Sequence, residues 1–528
     1  LNPPMNPATD TADFHFTRKG RLLIIWSTLL ALFLGALDTL VMGAAMPTIV
    51  ADLGGLHLYS WVFSAYMLSR AVALPVFGKL SDLFPNRVLF TISILIFLAG
   101  SVFAGLSQSM VQLTLSRLVK GIGAGGTFAL TYIVLADIST PETRGKMMSL
   151  ASFIWGLASV LGPTFGGFVV TYFSWRWIFF VNLPLGGLSL IGILLYLQET
   201  RRKGKVRQID YFGILTLTTT VLALLTAFLL AGKNYPWSSP RVIGLFGLTL
   251  AAGIAFYYAE KRAKDPILSL EFFKVGGFRT GNGAAFFSSF AIFSVSAFSP
   301  LFIQGALSGT PAEVGIVMVF LSLGWSVGAL FCGQMVHRIS EKPASLAGAL
   351  FLIAGSAMMI RFTADTSLVI CSIALTLAGL GMGFVSISTL LVVQNSLDSP
   401  DLGVATSSHQ FTRTLGGTVG IGVCGSIVTA GFGGDLKDLV PGGLPDTISE
   451  LIRRNFENVF RPEIQALLPT DVLKTLQGSI GQNILLVFQA ALIASLVCFL
   501  FSLLLPGHRG SFFSSGGPSP NPFRDTSR

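Results

Sequence analysis

The chain has 528 residues, of which 52% are hydrophobic and only 11% charged, with a mean hydropathy of +0.72. Soluble domains carry about 25% charged residues, so this composition suits lipid as solvent and excludes the ordinary soluble classes. The net charge of +10 does not indicate nucleic-acid binding, because the bases sit in short loops between apolar runs and not on one exposed domain.

Fourteen apolar stretches have about the length that spans a bilayer as helix, roughly 17–25 residues. They lie near 22–47, 60–79, 88–107, 110–137, 147–172, 177–197, 211–231, 241–259, 281–304, 311–335, 344–361, 367–394, 404–430 and 482–505. The expected fold class is an all-α membrane protein with 14 transmembrane helices. The first run is too long for a secretory signal and lacks a small-residue cleavage site, so it reads as a span. Short loops after even-numbered spans hold Lys79 and Arg87, Arg144 and Lys146, and Arg201, Arg202 and Lys203. By the positive-inside rule both termini are expected in the cytoplasm, and the protein in the cell (inner or plasma) membrane. The loop carrying Asp398 and Asp401 is an exception. Residues 1–17 and the Ser-, Gly- and Pro-rich tail read as disordered. Residues 431–481 read as a long external loop, in which 447–460 places Ile448, Leu451, Ile452 and Phe456 on one face of a short amphipathic helix.

Several polar residues read as helix starts. Thr310-Pro311-Ala312-Glu313 has the pattern of a capping box with proline at N1. Asp210 and Thr140-Pro141 look like caps for the same reason. Charges within spans are different, because an ion in hydrocarbon is costly and usually marks a pathway. Asp38 lies in the first span, Arg70 in the second, and Arg117 and Lys120 in the fourth. At the helical rise of about 1.5 Å per residue, Asp38, Arg70 and Arg117 fall roughly 12, 15 and 10 Å below one face. One acid and two or three bases thus share a layer. Either they form a static ion pair that joins helices, or Asp38 exchanges a proton, since desolvation and a neighbouring cation push a carboxylate in opposite directions.

In the fifth span, Gly156 precedes Gly162-Pro163-Thr164-Phe165-Gly166-Gly167, with Ala158, Gly162 and Gly166 at intervals of four. Small residues so spaced admit a neighbouring helix closely, and Pro163 removes a backbone donor. Further along, Phe286, Phe290 and Phe293 form a stripe that suits packing or a cavity wall. Ala405, His409, Arg413 and Gly417 share one helix face, and His409 and Arg413 either face a cavity or pair with loop acids.

These motifs together resemble the fourteen-helix drug:proton antiporters of the major facilitator superfamily, in order along nearly the whole chain. Leu37-Asp38-Thr39 resembles the acidic signature of the first helix, and Gly78-Lys79-Leu80-Ser81-Asp82 with Arg87 the cytoplasmic gate motif. Arg117 with Gly121 resembles the motif associated with proton transfer. Gly156, Gly162-Pro163 and Gly166-Gly167 resemble the antiporter motif, and Trp175–Pro184 the entry to the sixth helix. A faint internal repeat, Gly333-Gln334 with Arg338, echoes Gly78-Lys79 with Arg87.

The resemblance implies two six-helix bundles with an inserted helix pair. The boundaries expected are a tail at 1–21, an N-terminal bundle at 22–197, the inserted pair at 198–280, a C-terminal bundle at 281–505 and a tail at 506–528. It implies a monomer that exchanges protons, through Asp38 and Arg117, for a small amphipathic substrate. Arg70, Lys120, Phe286, Phe290, His409 and Arg413 are the cavity candidates. Pro85 stands where the gate motif has glycine, Lys120 where a neutral polar residue is common, and Arg70 is outside the pattern. Arg70 leaves room for anionic or zwitterionic amphiphiles, lipids included, so export or flipping of one lipid or anionic metabolite is the alternative function. The histidines show no His-Glu-x-x-His pattern and no phosphate-binding loop occurs, so no enzyme or primary pump is expected. The four cysteines, scattered in apolar runs, suggest neither disulfides nor a metal site, and no cofactor is expected. A non-transporting sensor is the remaining class, and it would leave the charged layer without a purpose.

Overall fold

A computed structural model describes residues 18–53, 58–198, 210–231, 235–263, 270–397, 401–439 and 470–507. Their architecture is helical throughout: α1 (Arg18–Leu53), α2 (Tyr59–Leu83), α3 (Asn86–Gly105), α4 (Met110–Asp137), α5 (Pro141–Tyr172), α6 (Trp177–Phe180), α7 (Asn182–Tyr196), α8 (Tyr211–Leu230), α9 (Pro240–Arg262), α10 (Gly276–Gly305), α11 (Pro311–Ile339), α12 (Glu341–Met359), α13 (Leu368–Asn395), α14 (Leu402–Leu439) and α15 (Thr470–Leu503). The short α6 and α7 together make the sixth expected span.

Among the described residues, 12 helices are long and apolar enough to cross a membrane. Two others, α5 and α14, are as long and are rich in Gly, Ser and Thr. Large apolar side chains such as Leu115, Leu195, Leu250 and Phe103 stand exposed on the outside, as expected where lipid replaces water.

Local chemistry sets the helix starts. Thr310 and Glu313 exchange cap hydrogen bonds, with the Thr310 amide donating to Glu313 Oε2 at 2.7 Å and the Glu313 amide to Thr310 Oγ1 at 3.3 Å. Asp210 accepts from the Gly213 amide at 2.7 Å, and the Thr140 amide donates to Thr143 Oγ1 at 3.0 Å. Apolar windows misplaced other ends, because helical hydrogen bonding continues past the last apolar residue wherever nothing stops it. Thus α5 begins at Pro141 rather than 147, α14 runs on to Leu439, and α15 begins at Thr470 rather than 482. Residues 431–439 and 470–481 of the expected external loop are therefore helical, and the rest of it, with its amphipathic segment, lies outside the described residues.

Early helices pack mainly on one another, α2 and α3 on α4, and α1 on α5 and α7. Late helices do likewise, α11 and α12 on α13, and α10 on α14 and α15. One core cluster, including Phe302, Met382 and Phe488, draws its buried residues only from α10 to α15 and the turns after α10 and α12. Two seams join early to late helices, α5 on α11 and α2 on α14. The α8–α9 pair lies beside the second seam, where Leu217, Val221 and Leu225 cluster with Leu68 and Ala71 of α2, against Phe411 and Leu415 of α14.

Candidate transport site

Mid-helix, α1 carries one acid and α4 answers it with two bases. Arg117 Nη1 and Lys120 Nζ each form a salt bridge with a separate oxygen of Asp38, and all three side chains are fully buried. The three-residue spacing of Arg117 and Lys120 puts both on one face of α4. Each base has further company. Arg117 lies 4.1 Å from the Tyr66 ring centre, and its Nε donates to the Val62 carbonyl at 3.4 Å. Lys120 sits 4.7 Å from the Phe97 ring and 4.9 Å from that of Phe179. Such contacts stabilise a cation by about 0.5–2 kcal/mol, whereas burying an ion costs several. The arrangement therefore depends on Asp38 staying charged while both bases are.

Arg70 occupies a different environment. Its guanidinium lies 4.5 Å from the Phe128 ring and 5.0 Å from that of Trp155. Among the described residues no carboxylate lies within salt-bridge distance of it. Arg413 on α14 is similar: it lies 5.5 Å from the Trp325 ring, donates to Gln410 Oε1 at 3.2 Å, and has no carboxylate partner among the described residues. Both arginines are only half-buried, as are Phe128, Trp155 and Trp325.

The sequence candidates thus separate into two groups. Asp38, Arg117 and Lys120 come together, with Lys120 on the acid. His409 is fully buried and faces α13, where its Nε2 lies 2.9 Å from Thr389 Oγ1. Phe286 and Phe290 run along α14, whose Gly416 and Gly420 receive the α10 backbone at those two residues. A methyl on Gly416 would fall 2.3 Å from the Phe286 carbonyl, and one on Gly420 2.7 Å from that of Phe290. Trp155 and Trp325 were missed. The available signal was their position beside the small residues Gly156 and Ser326, at which α5 and α11 touch.

The fifth-helix motif serves two interfaces. A methyl on Gly156 would fall 1.6 Å from Ser326 Oγ on α11, and one on Gly162 2.8 Å from Leu40 Cβ on α1. Gly166 is buried, and a methyl on Gly167 would meet nothing within 4 Å. Pro163 lies inside α5.

At one end the two seams are closed by the gate motif and its echo. Asp82 accepts hydrogen bonds from the amides of Gly403 and Val404 at 3.0 and 3.1 Å. It thereby caps the start of α14 from across the seam. A carboxylate is favoured at a helix N-terminus by the free amides and the dipole. Gly78 touches Ser407, and a side chain there would clash at 1.9 Å. On the other seam Gly333 meets Gly145 and Ser149, so the repeat unit closes both. Arg144 donates to Asn395 Oδ1 at 3.1 Å, and Asn395 to Glu341 Oε1 at 3.1 Å. Arg87 lies in the first turn of α3, which starts just beyond Pro85.

Beyond the opposite end of the first span, Asp52 accepts from Trp175 Nε1 at 2.9 Å and Arg176 Nη1 at 3.0 Å, and Arg176 Nη2 donates to the Ser107 carbonyl at 3.3 Å. The Trp175 and Arg176 donors hold the Asp52 carboxyl below the usual carboxylate range. Among the described residues no cluster of three or more His, Cys, Asp or Glu suits a metal ion.

Lipid-facing helices, glycine-lined seams between two helix groups and buried charge at mid-helix define a helical membrane carrier. The chain belongs to the Major Facilitator Superfamily, whose family model matches residues 28–421. It is similar to the multidrug transporter protein MdtP of Bacillus subtilis, with 34% identity over 92% of this chain and 91% of that one. It is also similar to multidrug resistance protein 3 of the same organism, with 30% identity over 89% and 92%. The solved structure of the human organic anion transporter MFSD10 shares the fold, with a TM-score of 0.58 and 16% identity over 89% of this chain and 99% of that one. The protein is thus an integral membrane transporter of small molecules, not an enzyme.

Proposed function

We propose that the protein is a proton-coupled antiporter that exports amphipathic small molecules by alternating access. The observation that carries this reading is Asp38, an acid buried at mid-helix between Arg117 and Lys120. Protonating Asp38 removes the charge that both bases hold, which loosens α1 from α4. Releasing the proton restores the cluster. Coupling follows if the two states face opposite sides of the membrane. The multidrug names of the relatives support an amphipathic substrate. In this reading α5 and α14 also cross the bilayer, giving fourteen spans. Residues 22–197 and 281–505 form the moving bundles, with α8 and α9 inserted between them. The protein acts as a monomer in the cell membrane with both termini cytoplasmic. A narrower reading, export of one anionic lipid or metabolite, is favoured by the two arginines without acid partners.

The test is uphill export from proteoliposomes under an imposed pH gradient. Asp38→Asn should abolish it, and so should Asp38→Asn combined with Lys120→Met, which rebalances the buried charge. Undiminished uphill transport by either variant would remove Asp38 from the coupling step.

A further inference from the structure

Resting on the transporter reading, we propose that Arg70 and Arg413 form a two-sided clamp for the acidic head of an amphiphilic substrate, with Trp155, Trp325 and Phe128 receiving its apolar body. The seam geometry brings the two arginines together. Gly78 lies against Ser407, and Gly403 against Ser81 and Asp82, so α2 and α14 run antiparallel. Further along the same seam, Leu68 and Ala71 share a cluster with Phe411 and Leu415. That register sets Arg70 and Arg413 at one level, one from each helix group. The second seam meets the same place, because Gly156 touches Ser326, and the residues before them, Trp155 and Trp325, are the rings against which Arg70 and Arg413 lie.

This layer has donors in excess and, among the described residues, no carboxylate to accept from them. Among the described residues, Trp155 Nε1, Arg413 Nε and Gln410 Nε2 are buried without a hydrogen-bond partner, and buried donors in folded proteins are ordinarily satisfied. Two guanidinium groups and two further orphan donors call for an anionic acceptor, and a planar guanidinium suits a carboxylate, sulfonate or phosphate. The aromatic rings offer an apolar wall beside it. On the lipid side Leu217, Val221 and Leu225 of α8 cover the seam at this level, which keeps bulk lipid from the charges. A substrate held by one arginine from each helix group would also tie its own binding to the closing of the seam.

Binding by the full-length protein in phosphatidylcholine nanodiscs tests this, with no pH gradient, so the result is independent of whether Asp38 carries the proton. The anionic probe is anilinonaphthalene sulfonate and the cationic one ethidium, each read by energy transfer from tryptophan. Arg70→Gln and Arg413→Gln should each weaken the anionic probe by about tenfold or more and spare ethidium. Arg70→Lys and Arg413→Lys should restore part of the loss, which misfolding would not permit. Adding phosphatidylglycerol to the disc separates the sources of the anion: competition marks a lipid headgroup, and no competition a free amphiphile. Unchanged anionic binding in both glutamine variants, or equal loss of both probes that the lysine variants do not relieve, would overturn the clamp.

Discussion

Two layers of charge lie inside one membrane protein, and they are built on opposite rules. At Asp38 the layer is dry and internally paired: an acid and two bases fully buried, every charge answered by another. At Arg70 and Arg413 the layer is half-open, with positive charge resting on aromatic rings and a neutral amide and, among the described residues, on no carboxylate. A paired, buried cluster changes state only when a proton changes its charge. An unpaired, accessible one changes state when something else arrives to pair it. In the proposed reading, the contrast separates the coupling ion from the cargo by location, within helices that touch one another.

The comparison is broken most severely by changing one member of the dry layer. Asp38→Asn leaves two buried bases without an acid, so thermal unfolding in detergent should show a loss of about 3–5 kcal/mol, the usual cost of breaking a buried pair. Adding Lys120→Met should recover much of it. Arg70→Gln, which removes a charge with no partner, should change stability by less than about 1 kcal/mol in either direction. Equal destabilisation by Asp38→Asn and Arg70→Gln would erase the distinction.

The glycines of α5 sharpen the same contrast between what is fixed and what moves. Gly162→Leu drives a side chain into Leu40 within the early group and should cost about 1–3 kcal/mol, as overpacking does. Gly156→Leu intrudes on the α5–α11 seam instead, and should shift the distribution of states seen by paired spin labels more than it shifts stability. Gly167→Ala meets open space and should be silent in both measurements.

Asp82→Asn should have a smaller effect. It weakens the cap on α14 by about 1 kcal/mol and should favour the state open at that end, by our reading the cytoplasmic one. Cross-linking between positions 81 and 403 reports the change, and an unaltered cross-linking rate would remove Asp82 from the gate.

Much of this could be read from the chain. Helices follow from apolar length, and the depth of Asp38 against Arg117 follows from a fixed rise per residue, so their meeting needed no tertiary information. Caps such as Thr310 and Asp210 are local and were equally readable. The partner of Asp82 was not, because the start of α14 lies far along the chain and comes near only through packing. For the same reason Arg70 and Arg413 could be singled out separately but not as a pair. The reach of α14 to Leu439 was hidden because its last turns, with Gly433, Gly434 and Asp435, look like loop while their backbone remains helical. The phenylalanine stripe of α10 was visible at helical spacing, yet only the glycines facing it show that close helix packing uses it.

The contact at Gly145 and Gly333 has a mechanical consequence. Each residue offers bare backbone to the other helix, with the short side chains of Val336 and Ser149 beside it, so the two surfaces meet more as plates than as gears. Parting gears requires many side chains to leave their rotamers together, whereas glycine has no side-chain entropy to gain or lose. In the proposed alternating access such plates separate and re-form with little internal friction, and the Asp82 cap on the other seam is the catch that sets when they do.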